Sequence, residues 1–184
     1  MTRTLGPIYL LALVTFLAPP ATRPAQGQNA AALEYELKAA FLVSFANFVE
    51  WPAEAFRDEE EAVTIGVLGT DPFGPALDQI ASQQSIRGRA CLVRRCRDVA
   101  DAAACHVLFI SAGENDRLRE ILEPLVASPT LTVGESEDFI ARGGIINFIL
   151  EKDTVRFEIN QTAAERAGLR IQSKLLRLAK PGSP

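Results

Sequence analysis

Along the first third of the chain, hydrophobic positions follow the period of an α-helix. Apolar residues recur at steps of three and four from Leu33 to Val49, so one apolar stripe would run along an amphipathic helix. Pro52 cannot continue a helix and disfavours the helical conformation of Trp51. We therefore expect this aromatic-rich helix to end near Glu50.

The middle of the chain alternates between two patterns. Short apolar runs, typical of buried strands, occur at Val63–Leu68, Ala90–Arg95, His106–Ile110 and Thr130–Val133. Amphipathic or capped segments, typical of helices and helical turns, occur at Phe73–Ser82, Asp98–Ala104, Asn115–Ala127 and Glu135–Ala141. Strands that alternate with helices favour right-handed parallel crossovers. The pattern therefore predicts a flavodoxin-like α/β sandwich of three layers.

The carboxyl-terminal third departs from this alternation. The strand patterns Ile145–Leu150 and Thr154–Ile159 are separated by three residues, which is too short for a crossover. They therefore predict an antiparallel hairpin at the edge of the mostly parallel sheet. We expect Asn160 to cap a helix over Thr162–Ala167, and the apolar positions between Ile171 and Leu178 predict one more amphipathic helix.

The amino terminus has the features of a secretory signal. Arg3 precedes a short apolar core at Leu10–Ala18, and two small residues stand where a signal peptidase would cut before Gln28. We expect residues 1–27 to be a cleaved signal peptide and residues 28–184 to form one domain. The apolar core is too short to span a bilayer by itself, and an uncleaved anchor is the alternative.

The mature chain is acidic. The full chain has a formal net charge of −4 at pH 7, and residues 1–27 contain two arginines and no acidic residue. Removing that segment from the 184 residues leaves 157 residues with a formal charge of −6, enough for one compact domain with a core. An acidic exported protein is a poor candidate for binding nucleic acid, so we expect no nucleic-acid partner.

The sequence identifies no catalytic constellation. The loop Gly69–Gly74 lies between a predicted strand and a predicted helix, where α/β folds often hold anions. Its glycine spacing differs from that of nucleotide-binding loops, so a tight turn and a small-molecule site are both open. Cys105 and His106 are neighbours in a strand pattern and point to opposite faces, which disfavours a nucleophile–base pair or a zinc site. We expect no catalytic residue, no metal and no cofactor.

Seven segments between Glu34 and Ala179 carry a family resemblance. They are KAAFLVSFANFVEWP, VLGTDPFG, RGR, CHVLFIS, GGIINF, FEIN and AGLRIQSKLLRLA. In their order and spacing they resemble the YfiR-type periplasmic repressors. The resemblance implies a non-catalytic regulator that binds the periplasmic domain of a membrane-anchored diguanylate cyclase, or another membrane sensor, and lowers cyclic-di-GMP signalling and biofilm output. A homodimer is left open.

A different function is also compatible with these residues. An exported domain with a loop such as Gly69–Gly74 can bind a small molecule, or sense redox state through its cysteines, and report to another membrane receptor. A ligand retained through purification would favour this alternative. Co-purification of a membrane cyclase would favour the repressor.

Two surfaces are candidates for contact with a protein partner. Trp51 and Phe56 lie just beyond the first predicted helix, which carries more aromatic rings than one face of a small sheet can absorb. Alternation along the last predicted strand places Arg156, Glu158 and Asn160 on its outward face.

Three cysteines allow at most one internal disulfide in an oxidising compartment: Cys91, Cys96 and Cys105. Proteins that this chain resembles can carry a cysteine in the first strand, matching the one at Cys105, but Gly66 stands at that position here. Cys96 is the nearest alternative partner for Cys105 along the sequence. Pairing requires α-carbons within about 7 Å of each other.

We expect the mature protein to begin near Gln28 and to be recovered from the periplasmic fraction, because the amino-terminal segment has the charge, apolar core and small residues of a cleaved signal. Amino-terminal sequencing of that fraction is the measurement. Membrane-bound protein that retains Met1 would contradict this expectation and favour an uncleaved anchor.

Overall fold

The structure is a computed structural model that describes residues 26–180, with side chains from residue 29 onward. The predicted signal peptide therefore lies almost wholly outside the described residues. No helix in the described range is long and apolar enough to cross a membrane.

Helices and strands alternate along most of the chain. The helices are α1 (Gln26–Asn47), α2 (Pro75–Ser82), α3 (Val99–Ala103), α4 (Leu118–Leu122), α5 (Gln161–Arg166) and α6 (Ser173–Leu176). The strands are β1 (Val49–Glu50), β2 (Val63–Leu68), β3 (Ser85–Ile86), β4 (Arg89–Cys96), β5 (Val107–Ile110), β6 (Leu131–Gly134), β7 (Ile146–Glu151), β8 (Thr154–Ile159) and β9 (Arg170–Ile171). Short 3₁₀ turns occur at Ala53–Ala55, Ala112–Arg117 and Glu123–Leu125.

Seven of these strands form one sheet in the order β3-β4-β2-β5-β6-β7-β8. The five inner strands are parallel, whereas β3 and β8 at the two edges are antiparallel to their neighbours. The parallel strands have the order of flavodoxin-like folds, with the second strand beside the first and the third on its other side. The predicted flavodoxin-like fold, with an antiparallel hairpin at its carboxyl-terminal edge, is confirmed.

Helices pack on both faces of this sheet and make the three predicted layers. One buried cluster joins α1, α2, α5 and α6 to one face, and a second cluster joins α3 and α4 to the other. Alternate residues of β2, β4 and β5 supply the two clusters. In β5, for example, Val107 and Phe109 lie on the α1 face, and Leu108 and Ile110 lie on the α4 face.

An aromatic cluster anchors α1 to the carboxyl-terminal hairpin. Phe45 is fully buried, and its ring centroid lies 5.6 Å from that of Phe148 and 4.9 Å from that of Phe157. Phe41 lies 5.7 Å from Phe157 and stacks on Phe45 at 5.8 Å. Such ring pairs contribute about 0.5–1.5 kcal/mol each beyond the area that they bury. The first helix and the last two strands of the sheet therefore share one core.

The first helix ends earlier than the sequence predicted. It stops at Asn47, and the next residues pair as a short antiparallel ladder with the segment after α5, Val49 with Ile171 and Glu50 with Arg170. The prediction that the helix reaches Glu50 is therefore wrong, and so is the assignment of Ile171 to the last helix. Pairing across more than a hundred residues satisfies these backbone groups instead.

The predicted helix Asn115–Ala127 is also wrong as a continuous element. It consists of the 3₁₀ turn at Ala112–Arg117, the five-residue helix α4 and the 3₁₀ turn at Glu123–Leu125. Pro124 lacks the amide hydrogen that a continuing helix would need at that position. The predicted apolar face is nevertheless buried as expected, and its members are Leu118, Ile121, Leu122 and Leu125.

Two glycines make room for the ring of Phe139, which is fully buried between β6 and β7. A Cβ atom added at Gly134 or at Gly144 would collide with that ring. Glycine is therefore required at these two positions because a side chain would collide with the ring. Neither position has the positive φ that favours glycine.

We expect Gly144→Ala to lower the free energy of unfolding by about 1–3 kcal/mol, because the added methyl group overpacks the Phe139 ring. Denaturant unfolding followed by circular dichroism measures the change. Gly113→Ala is the matched control, because the nearest atom to its added Cβ would be Ser111 Oγ at 3.9 Å. The cost of Gly144→Ala should shrink in a Phe139→Ala background. An equal cost in both backgrounds would contradict the steric explanation.

Candidate partner-binding surface

The carboxyl-terminal hairpin extends past its neighbour in the sheet. β7 pairs with β6 only through Ile146 and Asn147, although the strand continues to Glu151. The turn that joins β7 to β8 consists of Lys152 and Asp153, both with positive φ, at 50° and 59°. Such two-residue turns match the twist of paired strands. Within residues 26–180, the half of the hairpin nearest the turn therefore has no strand beside it on the β6 side.

An apolar groove lies between the amino-terminal half of α1 and this hairpin. Its volume is about 490 Å³, and its apolar lining consists of Ala30, Ala31, Leu33, Leu37, Leu150 and Val155. Leu33 is 67% exposed, Leu37 44% and Leu150 55%, whereas Phe45 farther along the same stripe of α1 is fully buried. Large apolar side chains that cluster at a surface mark interaction sites more often than scattered ones do.

An acidic notch lies beside the groove, and Leu150 lines both. The notch has a volume of about 360 Å³ and separates the loop after β6 from the hairpin. Its polar lining consists of Glu135, Ser136, Glu137, Asn147 and Glu158. Asn147 and Glu158 are paired across β7 and β8, so both side chains project from the same face of the hairpin.

A buried ion pair connects the loop after β6 to α1. Lys38 Nζ lies 2.7 Å from Glu135 Oε2 and 2.6 Å from Glu34 Oε1, and the lysine is 5% exposed. The Tyr35 hydroxyl also donates to Glu135 Oε1, at 3.3 Å. Burial lowers the pKa of Lys38, but its hydrogen bonds to the two carboxylates more than offset this, so the pKa lies above its usual value. The charge of Glu135 is therefore already compensated within the protein.

The structure places the three predicted residues of the last strand in different roles. Arg156 is exposed and Glu158 is half-buried in the notch. Asn160 caps α5, because its Oδ1 accepts from the Ala163 amide at 2.9 Å and its Nδ2 donates to the Ile140 carbonyl at 3.3 Å. The side chain of Asn160 therefore holds the fold together, as the predicted cap requires.

Trp51 and Phe56 lie in a separate part of the molecule. The ring of Phe56 is sandwiched between the His106 ring, at 4.4 Å, and the guanidinium of Arg89, at 4.0 Å. Both aromatic residues are half-buried and line a cavity of about 440 Å³ together with Arg87 and Arg89. The cavity and the notch share no lining residue. The structure thus does not bring Trp51 and Phe56 together with the hairpin residues.

Sequence reasoning missed the residues of the groove. A helix of 22 residues is about 33 Å long, whereas a six-residue strand covers about 20 Å, so part of the apolar stripe must extend past the sheet. That excess lies at the amino-terminal end of α1, at Leu33 and Leu37, whereas Trp51 and Phe56 at the other end are half-buried. The sequence predicts that α1 is longer than the sheet, but it does not predict which end of the helix extends past the sheet.

The loop Gly69–Gly74 forms a tight turn with a carboxylate beside it. Gly69 has a φ of +89°, and the Asp71 carboxylate accepts from the Phe73 amide at 2.8 Å. A Cβ added at Gly69 would lie 2.8 Å from Glu114 Cγ and 3.0 Å from its Oε1. A glutamate therefore occupies the space near the carboxyl end of β2, where a flavodoxin-like fold holds anions, and its charge opposes an anionic ligand.

His106 is held as a neutral ring. Its Nδ1 accepts from the Thr64 amide at 3.1 Å, so Nε2 carries the hydrogen and donates to the Ala55 carbonyl at 3.1 Å. Burial lowers the pKa of His106. Both ring nitrogens are therefore engaged with the backbone. Among the described residues, no three histidine, cysteine or acidic side chains are placed to hold a metal ion.

Comparison with known proteins identifies the family. The model of the YfiR/HmsC-like family matches residues 35–180, which is most of the chain. The chain belongs to the YfiR/HmsC-like family. This is a family of regulatory proteins, in keeping with the resemblance seen in the sequence motifs.

A solved structure is similar to this YfiR/HmsC-like chain in fold. It is the crystal structure of a conserved domain protein from Vibrio cholerae O1 biovar El Tor str. N16961, with a TM-score of 0.54 and 14% sequence identity. The match covers 79% of this chain and 59% of that chain. At this identity the likeness concerns the fold alone.

The cysteines of this YfiR/HmsC-like chain are buried thiols on both faces of the sheet. Cys91 lies on the α1 face, whereas Cys96 and Cys105 meet on the other face with their sulfur atoms 3.7 Å apart. Gly66 of β2 faces the pair, and a Cβ there would lie 2.7 Å from Cys105 Sγ and 3.0 Å from Cys96 Sγ. The hydrogen bond between the thiols lowers the pKa of Cys96 and, together with burial, raises the pKa of Cys105. The absent side chain at Gly66 leaves the room in which the two sulfurs meet.

We propose that oxidation joins Cys96 and Cys105 in a disulfide. Exchange with glutathione disulfide would transfer two electrons from the thiols and release two molecules of glutathione. Denaturing alkylation and mass spectrometry should then find one labelled cysteine, Cys91, in oxidised protein and three in reduced protein. The short loop that the bond closes should raise the free energy of unfolding by at most about 3 kcal/mol.

Cys91→Ser and Cys96→Ser are matched controls for this prediction. Oxidised Cys91→Ser protein should carry no label, whereas Cys96→Ser protein should carry two labels under both conditions. Three labels on folded wild-type protein at equilibrium with excess glutathione disulfide would contradict the pairing.

Proposed function

We propose that this YfiR/HmsC-like protein is a periplasmic regulator that binds the periplasmic domain of a membrane-anchored diguanylate cyclase. Binding would hold the cyclase inactive and so lower cyclic-di-GMP signalling and biofilm formation. The mature protein would be residues 28–184, released by cleavage of the signal peptide. The observation that carries the proposal is the exposed apolar groove that adjoins the acidic notch at the hairpin.

The composition of this surface supports a protein partner. Three exposed leucines form its centre, and burying a leucine side chain contributes about 1.5–3 kcal/mol. Charged residues adjoin them, since Glu34 and Asp153 line the groove and Glu158 lines the adjoining notch. An apolar centre with a polar rim is the usual arrangement of protein interfaces, where the rim charges fix register and raise the association rate.

The side chains that could in principle act in catalysis are occupied in structural contacts, which favours a binding role. His106 uses both ring nitrogens in backbone hydrogen bonds, and Cys96 and Cys105 are buried against each other. All three side chains are buried, with His106 5% and Cys105 3% exposed. A regulator that acts by binding requires no such group.

A second candidate function is supported by the cavity at Trp51 and Phe56. The Trp51 Nε1 is buried and has no hydrogen-bond partner among the described residues. Arg87 and Arg89 line the same cavity, so a flat ligand that carries an anionic acceptor fits its chemistry. A ligand retained through purification that shifts the fluorescence of Trp51, the single tryptophan of the chain, would favour this function.

We expect Glu158→Lys to weaken binding to the periplasmic domain of the cyclase by at least about tenfold, because it reverses a charge at the notch. Titration of wild type and variant against that domain by calorimetry measures the effect. The fold should persist, since Glu158 lies outside the apolar core. Circular dichroism checks this.

Glu120→Lys is the matched control for that titration. Glu120 is an exposed residue of α4, so the same change of charge there should leave the affinity within about twofold. Equal weakening by both variants would mean that net charge alone acts. If folded Glu158→Lys binds as tightly as wild type, the hairpin is not the interface. If the wild-type protein binds none of the membrane cyclases of its source bacterium, the repressor proposal fails.

A further inference from the structure

We propose that the acidic notch binds one arginine side chain that the protein partner presents. The inference rests on the proposed function in that the partner is expected to be a cyclase domain, but the notch itself can be tested without that partner. Its basis is a buried amide oxygen without a hydrogen-bond partner and two carboxylates without an ion pair, in each case among the described residues.

The buried amide is that of Asn147. The residue is 3% exposed, lines the notch, and its Oδ1 has no hydrogen-bond partner among the described residues. Buried side-chain oxygens in folded proteins almost always accept a hydrogen bond. A rotation of the Asn147 side chain would bring this oxygen to a donor that enters the notch.

Two carboxylates of the notch remain available. Glu137 and Glu158 form no ion pair with any described residue, in contrast to Glu135, whose charge Lys38 compensates. Glu158 lies directly opposite Asn147 across the hairpin. The notch therefore offers negative charge on both walls and an amide oxygen from β7.

The chemistry of these acceptors favours a guanidinium group. A guanidinium carries five N–H donors in one plane, which can serve a carboxylate with two bonds and still reach the amide oxygen. A lysine ammonium has three donors on one nitrogen atom, so it is less able to reach a carboxylate and the amide oxygen at the same time. A metal ion is disfavoured, since the carboxylates of the notch do not form a group that could hold one.

The remaining lining suits the stem of such a side chain. Ile149 is half-buried and Leu150 is 55% exposed, and both line the notch. The methylene groups of an arginine pack on apolar surface while the guanidinium reaches polar groups. Because Leu150 also lines the apolar groove, an arginine at the notch could be continuous with an apolar contact in the groove.

Two cations of the described residues lie beside Glu158, namely Lys180 and Arg156. Lys180 forms an isolated β-bridge with Glu158, and its Nζ lies 3.3 Å from Glu151 Oε1, so its charge is taken up by that glutamate. Arg156 lies two residues before Glu158 on β8, opposite Ile149, and forms no ion pair with a described acidic residue. If Arg156 occupied the notch from within, an external guanidinium would have to displace it. The variant Arg156→Ala distinguishes the two cases.

The direct test uses the isotope-labelled mature protein and N-acetylarginine amide as the probe. We expect saturable NMR shifts of the Asn147 side-chain amide and of the Glu158 backbone amide, which weaken as salt is added. N-acetylcitrulline amide has the same shape without the charge and should cause no saturable shift. Glu158→Gln should weaken binding of the probe at least fivefold, and Glu120→Gln should leave it unchanged.

Several results would overturn the proposal. They are the absence of any shift at Asn147, equal shifts with the citrulline probe, and tighter binding of the probe to Arg156→Ala than to wild type. The last result would assign the notch to Arg156 of this chain. Unchanged probe binding by folded Glu158→Gln protein would also overturn the proposal, because it would mean that this carboxylate does not hold the guanidinium.

The failure of this proposal can be told apart from failure of the proposed function. If the cyclase domain binds wild type and the double variant Glu137→Gln/Glu158→Gln equally well, the notch proposal is wrong and the regulator proposal stands. If the arginine probe binds at the notch but no cyclase domain does, the notch stands and the regulator proposal is wrong.

Discussion

The packing of α1 on the carboxyl-terminal hairpin is the interaction on which the rest of the structure depends. Phe45, with no exposed surface, contacts Phe148 and Phe157, residues more than a hundred positions later in the chain. The ion pair between Lys38 and Glu135 adds a second link from the same helix to the loop after β6. Removing one partner of a buried pair costs about 3–5 kcal/mol. These contacts give both the groove and the notch their walls, so the surface exists only in the fully folded protein.

The fold could be predicted where burial imposes a period on the sequence. β2, β7 and β8 stand close to their predicted bounds because their alternate residues face a covered core. The pairing of Val49 and Glu50 with Arg170 and Ile171 could not be predicted, because two residues carry no period and the partners come together only through tertiary packing. The length of α4 could not be predicted either. The apolar spacing identified its buried face correctly, but Pro124 decides where continuous hydrogen bonding stops.

The candidate site was predictable to a smaller extent. Alternation along β8 places Arg156 and Glu158 on one face, as expected, since strand geometry is local. Phe56 shows why exposure is harder to predict. Its ring lies between His106 and Arg89, which are 50 and 33 positions away and carry no signal of contact in the sequence. Leu33 belongs to the same predicted stripe as the buried Phe45, and only the position of the sheet under α1 separates exposed from buried members.

Topology explains why the available surface lies at the hairpin and not at the crevice where flavodoxin-like folds bind ligands. Parallel strands are covered on both faces by their crossover helices, and here Glu114 also fills the space beside Gly69 at the end of β2. The antiparallel hairpin needs no crossover helix, so it can leave part of one face uncovered at the edge of the sheet. The length of α1 beyond the sheet adds exposed leucines to that same edge. A chain with this order of elements therefore leaves apolar and acidic groups exposed side by side where β7 passes the end of β6.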